Sequence, residues 1–356
     1  MTSFRDLPIR ADLRDQEPYG APQLAVPYQL NVNENTFGIP SEVQDRIQAR
    51  VRGILPQLNR YPDREFMELR TKLAEYLGFG LSPKQLWAAN GSNEILMQLF
   101  QAFGGPDRLA LSFGPTYSMY PNIARITLTQ YKEVPREQDF QLSADFVVSA
   151  IQEHKPNLVL LCNPNNPTGT PITREVIQAA YEAFDGILIV DEAYAEFAEE
   201  LSALDLVANR ERLVISRTMS KAFAFAGVRL GYMAASEAVI DAVRIVRLPY
   251  HLSALTQAAA LAALEGKELM LANVEKIKIQ RDRITASLRE LGLRPYASAA
   301  NFVLCAGFEN PQRTFQELLD RGVLIRNVGI PNTLRITAGT EAETDFLLEA
   351  LGDCLG

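Results

Sequence analysis

Five apolar runs, each ending in a polar turn, constrain this chain more than any other feature. They are Leu86–Ala89, 109–113, Leu158–Cys162, 187–190 and 213–216, and helical patterns at 95–103 and 175–184 fall between them. A run such as Leu158–Cys162, apolar throughout rather than alternating, belongs to a parallel sheet covered on both faces. The expected fold class is therefore α/β. Ligands of open α/β sheets bind beyond the carboxyl ends of the strands. Asn166, Asp191 and Lys221 each stand just past a separate run. Three polar groups converging at strand ends make a binding constellation rather than scattered surface polarity.

The length of 356 residues suggests about two domains, at roughly 150 residues each, and leaves room for a sizeable core. A net charge of −8 argues against nucleic acid and anionic membranes as partners. The three cysteines, Cys162, Cys305 and Cys354, form no CxxC pair, which fits a reducing cytoplasm. Two histidines, His154 and His251, make a His-rich metal site an unpromising reading, and no metal is expected. The first fifteen residues are charged throughout and lack the apolar core of a signal peptide. No apolar run reaches the roughly 18 residues of a membrane span.

Residues 1–35 are rich in Pro and Asn, without a strong period, and read as an arm laid over the rest. Ser41 is placed to cap a helix running to residue 51. Further helices are expected at 65–77, 253–264 and 269–291, the last two bridging a large part (36–270) and a small one (271–356). The small part holds a strand from about 301, a helix near 312–321 and the strand sequence LRIT around Arg335.

Several turns carry candidate chemistry. Asn90-Gly91-Ser92-Asn93 joins a strand to a helix start, where free N–H groups can bind a phosphate. Tyr117 follows a strand and can either stack on a flat heterocycle or simply pack. The loop Asn163-Pro164-Asn165-Asn166-Pro167-Thr168-Gly169 is stiffened by two prolines and holds Asn166 in place. Asp191, at the end of a buried strand, needs a cationic partner, and Tyr194 points from the same strand end. Lys221 is surrounded by small residues that let a flat ring approach, and an amine used near pH 7 needs desolvation, a neighbouring cation or capture as a Schiff base. Arg229, eight positions on, could hold a phosphate beside that amine. Arg335 inside an apolar strand wants an anion, either a ligand or an ordinary salt-bridge partner.

The segment Thr218-Met219-Ser220-Lys221-Ala222-Phe223, continued by Ala226-Gly227, resembles the lysine motif of fold type I pyridoxal-phosphate enzymes, in the variant of histidinol-phosphate aminotransferases. The N-P-x-N-P-T-G loop and Leu30-Asn31-Val32-Asn33-Glu34-Asn35 are similar to signatures of the same family, and the likeness runs from about Leu7 to Thr340. Thr36 stands where the family usually has proline. The resemblance implies a mostly parallel sheet sandwiched by helices, a smaller C-terminal domain, and pyridoxal 5'-phosphate as cofactor. It gives Lys221, Asp191 and Tyr194 catalytic parts. It implies that Asn166, Gly91, Ser92, Asn93, Tyr117, Thr218, Ser220 and Arg229 hold the cofactor, with Tyr61 reaching across a homodimer to a shared site. Arg335, Arg326, Tyr19 and Asn35 would meet the substrate. The expected reaction moves the amino group of histidinol phosphate to 2-oxoglutarate in the cytoplasm, for histidine biosynthesis. Related readings with the same core are an aromatic aminotransferase or a threonine-phosphate decarboxylase; a cofactor-binding regulator without turnover is a third.

Overall fold

Runs that never alternate end up buried on both faces. The computed structural model, which describes residues 6–18, 20 and 22–355, shows this directly. In chain order the strands are β1 Tyr28–Gln29, β2 Leu86–Ala89, β3 Leu109–Gly114, β4 Gln130–Pro135, β5 Leu158–Cys162, β6 Ile187–Asp191, β7 Leu213–Thr218, β8 Gly231–Ala234, β9 Arg294–Pro295, β10 Phe302–Ala306, β11 Val323–Leu324 and β12 Thr333–Thr337. A seven-stranded sheet runs in the order β2-β8-β7-β6-β5-β3-β4. Strand β8 is antiparallel to β2 and β7, and the other pairings are parallel. Every residue of β2, β5, β6, β7 and β8 is buried. The register sets Cys162 opposite Asp191, and Asp191 opposite Ser216. The carboxyl ends of β5, β6 and β7 are thereby level, and the loops that leave them converge.

A second, antiparallel sheet has the order β12-β10-β9. Strand β1, in the N-terminal arm, lies parallel to β11. The arm is stitched further by Leu30 N to Leu324 O (2.8 Å) and Thr337 N to Leu30 O (3.0 Å). That pairing carries residues 31–35 from the small sheet to the carboxyl end of the large one. One apolar cluster surrounds the seven-stranded sheet, including Trp87, Leu160 and Ile189. The other surrounds the small sheet and includes Leu30, Tyr194 and Ala222. No helix among the described residues is long and apolar enough to cross a membrane.

Local chemistry shifts several boundaries. Ser41 is the first helical residue rather than the cap; Pro40 takes the cap position, with no side-chain bond, and the helix runs Ser41–Ile54. The next helix is Met67–Leu77, not one starting at residue 65, because Phe66 is left-handed at φ 39°. The Asp63 carboxylate accepts the amides of Glu65 and Met67 there and replaces the first helical turn. The expected helix at 269–291 is two helices, Lys267–Leu271 and Val274–Glu290. Several elements were not anticipated, among them β4, β8 and the helices Met119–Ile126, Ala144–His154, Glu237–Val246 and Glu341–Leu355. Strand β4 is an edge whose side chains are mostly solvated, so QYKEVP carries charge, not apolar content.

Candidate active site

A cavity of about 510 Å³ opens where β5, β6 and β7 end. Lys221, Arg229, Arg326 and Arg335 line it, against the carboxylates of Asp191 and Glu34. Four cations facing two anions, in a chain of net charge −8, make this a local anion site.

Asp191 is the last residue of β6 and its side chain is buried. Its Oδ2 accepts the Tyr120 hydroxyl at 2.9 Å, while Oδ1 is buried without a hydrogen-bond partner. Burial pushes the carboxyl up to about 6, opposed by the Tyr120 hydroxyl and the Ala193 amide. An orphaned buried oxygen beside the cavity suits a protonated ring nitrogen, which supplies both a proton and a positive charge.

Lys221 follows β7, and its Nζ donates to the Val32 carbonyl of the arm at 3.0 Å. Burial, then the neighbouring Arg335 and Arg229, lower the amine to about 8, with Glu34 pulling the other way. A large neutral fraction near pH 8 suits an amine that must attack or take a proton.

Tyr194 and Asn166 meet on the cavity wall. The Tyr194 oxygen accepts from Asn33 Nδ2 at 2.9 Å and from Asn166 Nδ2 at 3.3 Å. Both partners donate, so the phenolic proton remains to be given to a third group. The two amides are oriented by their other ends. Asn166 Oδ1 accepts from Arg335 Nη1 at 2.6 Å, and Asn33 Oδ1 accepts from Thr337 at 3.0 Å. Arg335 also donates to the Asn31 carbonyl at 2.6 Å, and its guanidinium lies 5.1 Å from the Phe302 ring centre. Its backbone bonds that of Arg326 in both directions, at 3.0 and 2.8 Å.

The opposite end is built from backbone and hydroxyls. Gly91 caps the helix Ser92–Phe103 at φ 86°, a conformation only glycine adopts freely. A Cβ there would sit 2.5 Å from the Arg229 guanidinium, and one on Gly231 would sit 2.2 Å from the Ser92 nitrogen. The turn and β8 thus touch backbone to backbone, with Ser92 and Asn93 at the cavity. Thr218 donates to Ser220 Oγ at 3.0 Å, and Arg229, itself left-handed at φ 63°, reaches the same oxygen at 3.4 Å. A non-glycine residue in that region costs of order 1 kcal/mol, and such strain clusters at ligand sites. Tyr117 lines the cavity, bonded to Asn93 Oδ1 at 3.1 Å.

Three expected residues lie elsewhere. Gly91 stands behind Arg229 and shapes the turn without lining the cavity. The Asn35 amide donates to the Ala222 carbonyl (3.0 Å) and its oxygen accepts the Phe37 amide (3.0 Å), so this side chain holds the arm instead of facing the cavity. Tyr61 is 80% exposed and stacks on Tyr250, with ring centres 4.4 Å apart, outside its own chain's cavity. Tyr19 lies outside the described residues. His251 packs on Trp87 and bonds the Ala88 carbonyl at 2.9 Å, as a packing residue does. Sequence reasoning missed Tyr120, Cys162, Val32 and Glu34. For Tyr120 a usable signal existed: it stands three residues after Tyr117, so a single helical turn sets the two side by side.

Comparison with known proteins points the same way. The family model "Aminotransferase class I and II" matches residues 27–351. A histidinol-phosphate aminotransferase of Paenarthrobacter aurescens is 59% identical over 350 residues, covering 97% of this chain and 94% of that one. Another, from Thermobifida fusca, is 51% identical, covering 98% and 96%. Among solved structures, the histidinol-phosphate aminotransferase of Sinorhizobium meliloti in complex with pyridoxal-5'-phosphate superposes with a TM-score of 0.84 at 26% identity, covering 93% of this chain and 91% of that one. A fold with the strand order above, a lysine, a buried acid and an amide in one cavity, and identity of this extent over nearly the whole length lead to one assignment: the chain belongs to the class I and II aminotransferases, in the histidinol-phosphate aminotransferase family.

Proposed function

We propose that this chain moves the amino group of L-histidinol phosphate to 2-oxoglutarate, giving imidazole acetol phosphate and L-glutamate, in histidine biosynthesis, with pyridoxal 5'-phosphate in the cavity. The observation that carries the reading is the orphaned Asp191 Oδ1, in one cavity with the Lys221 amine and the Asn166–Tyr194 pair. The residues fit the group: a buried acceptor for the ring nitrogen, donors for the ring oxygen, and a glycine-tight turn with hydroxyls and Arg229 for the phosphate. When bound, the cofactor supplies an aldehyde that condenses with amines and a ring that accepts an electron pair.

Lys221 holds the cofactor between turnovers. Its amine, brought to about 8 by burial and the neighbouring arginines, would also serve as the base that moves a proton at the substrate carbon. Asp191 keeps the ring nitrogen protonated. Tyr194 and Asn166 would hold the ring oxygen, and Tyr117, on the cavity wall, would pack against the ring. Ser92, Asn93, Thr218, Ser220 and Arg229 bind the phosphate, beside the backbone of Gly91. Arg335, with Arg326 next to it, takes the substrate anion: a phosphate in one half-reaction, the α-carboxylate of glutamate in the other. A planar guanidinium binds either in bidentate fashion, which lysine cannot.

A boundary near residue 270 between a large and a small domain is supported by the two apolar clusters. The homodimer is supported by exposed apolar side chains: the stacked pair Tyr61–Tyr250, Leu58, and Ile245 and Leu248, the last two 85% and 74% exposed. On this reading Tyr61 of a second copy completes the phosphate site. Ile245→Glu is expected to raise the dimer dissociation constant at least about tenfold in sedimentation equilibrium; a protein that is monomeric at micromolar concentration before substitution defeats the shared-site reading. A cytoplasmic location follows from the proposed pathway and the unpaired cysteines.

The substrate is tested by a half-reaction. The loaded protein is mixed with histidinol phosphate, phenylalanine or threonine phosphate, and bleaching of the cofactor's visible band is followed. Histidinol phosphate is expected to bleach it at the lowest concentration. Equal or better reaction with phenylalanine would make the chain an aromatic aminotransferase; carbon dioxide release from threonine phosphate would make it a decarboxylase.

A further inference from the structure

The helix Met119–Ile126 begins right after the Tyr117 turn, and its first turn sends Tyr120 inward, where it has no solvent exposure. The Tyr120 ring meets Tyr117 edge to face, with centres 5.5 Å apart and planes at 86°. Its hydroxyl ends 2.9 Å from Asp191 Oδ2. The two oxygens of one carboxylate are thus in different states: one is donated to by protein, the other is buried and has no partner. Turning this carboxylate about its Cβ–Cγ bond would break the Tyr120 hydrogen bond, so Tyr120 holds the direction in which Oδ1 faces.

The other ionisable groups around Asp191 do not compete. Cys162, its register partner on β5, has a thiol pushed up to about 12 by burial and by the Asp191 charge, so it stays neutral. Glu192, the next residue, turns away to Arg217 at 2.8 Å. Burial and the same carboxylate push the Tyr120 hydroxyl well above its ordinary value, so it remains a donor at every working pH.

We propose that Tyr120 is a positioning residue for the reaction: by occupying Oδ2 it presents Oδ1 in a fixed direction to the ring nitrogen and keeps Asp191 a carboxylate while it does so. This rests on the assignment of Asp191 to the ring nitrogen given above. Tyr117 stacking and Asp191 pairing are then coupled, because one side chain packs against the first and bonds the second.

The test is Tyr120→Phe, which keeps the ring and its edge contact and removes only the donor. The NMR resonance of pyridoxal phosphate labelled at the ring nitrogen is expected to move toward that of neutral pyridine. The dissociation constant of the cofactor is expected to rise roughly tenfold or more, the effect of a lost hydrogen bond to a charged group. The kcat should fall while the KM for histidinol phosphate changes little. An unshifted resonance with an unchanged dissociation constant overturns the proposal. If Asp191→Asn shifts the resonance and Tyr120→Phe does not, the positioning role fails; if neither does, the Asp191 assignment itself fails. Should the phenylalanine variant not fold, 3-fluorotyrosine at position 120, a stronger donor of nearly the same shape, is expected to shift the resonance the opposite way, and no shift there overturns the proposal equally.

Discussion

Lys221→Ala is expected to abolish transamination, lowering kcat by about 10⁴-fold, the upper range for a positioned proton-transfer group, and to remove the visible absorbance of the lysine-bound cofactor. The size of the effect follows from two tasks resting on one atom. The Nζ is held by the Val32 carbonyl at 3.0 Å, within a wall formed by the arm. The same enclosure, with Arg335 and Arg229, brings the amine to about 8 from an ordinary 10.5. An alanine leaves neither a covalent anchor nor a base, and no other amine among the described residues lines the cavity. The measurement is steady-state transamination beside an absorption spectrum. Retained turnover would overturn the lysine assignment.

The Lys221 shift also fixes a sign for stability. The amine binds its proton less tightly folded than unfolded, so the unfolded chain holds more protons between about pH 8 and 10.5. Stability contributed by this group therefore rises with pH across that window, and the cost of burying the ammonium is fully present below it.

The fold and the site were legible in the sequence to different degrees, for physical reasons. Strands β5 and β6 are buried along their whole length, so LVLLC and ILIVD could mean little else. Asn166, in the loop after β5, and Asp191, the last residue of β6, stood out because a polar group at the end of a buried strand requires a reason. Strand β4 was invisible because a solvated edge needs no apolar residues. Asn35 was misplaced because its motif fixes a position in the chain and not a direction for the side chain; in the structure its amide is consumed by Ala222 and Phe37. The role of the arm was only half visible. That residues 31–35 reach Lys221 and Arg335 depends on Tyr28–Gln29 pairing with Val323–Leu324, a contact across almost three hundred positions that no local pattern announces. The spacing of Tyr120 from Tyr117 could have placed it beside that ring, but its bond to Asp191 on β6 is a long-range contact that no spacing shows.

Asp191→Asn is expected to act in opposite directions on function and on the cofactor-free fold. For function it removes the charge that faces the ring nitrogen. Breaking a buried ion pair costs about 3–5 kcal/mol, which here is expected as a rise in the activation barrier, roughly 10² to 10³ or more in kcat. For the fold without cofactor the sign reverses. The carboxyl sits at about 6 when folded, against 3.8 ordinarily, because the ionised form is buried with one oxygen unpaired. The folded state therefore holds more protons between pH 4 and 6, and the carboxylate destabilises it as pH rises through that window. Above it the cost reaches about 3 kcal/mol, from roughly two pH units at 1.36 kcal/mol each. Asparagine keeps an oxygen for the Tyr120 hydroxyl and never ionises. The cofactor-free variant should accordingly melt higher than the unaltered chain at pH 8, and the gap should close below pH 4. Calorimetry at the two pH values, without cofactor, reads this directly. A variant that melts lower at pH 8 would mean that Asp191 is held as a structural acid; a variant that melts higher and turns over slowly would mean that the fold carries a buried carboxylate at a loss in stability, for the sake of the cation it is built to meet.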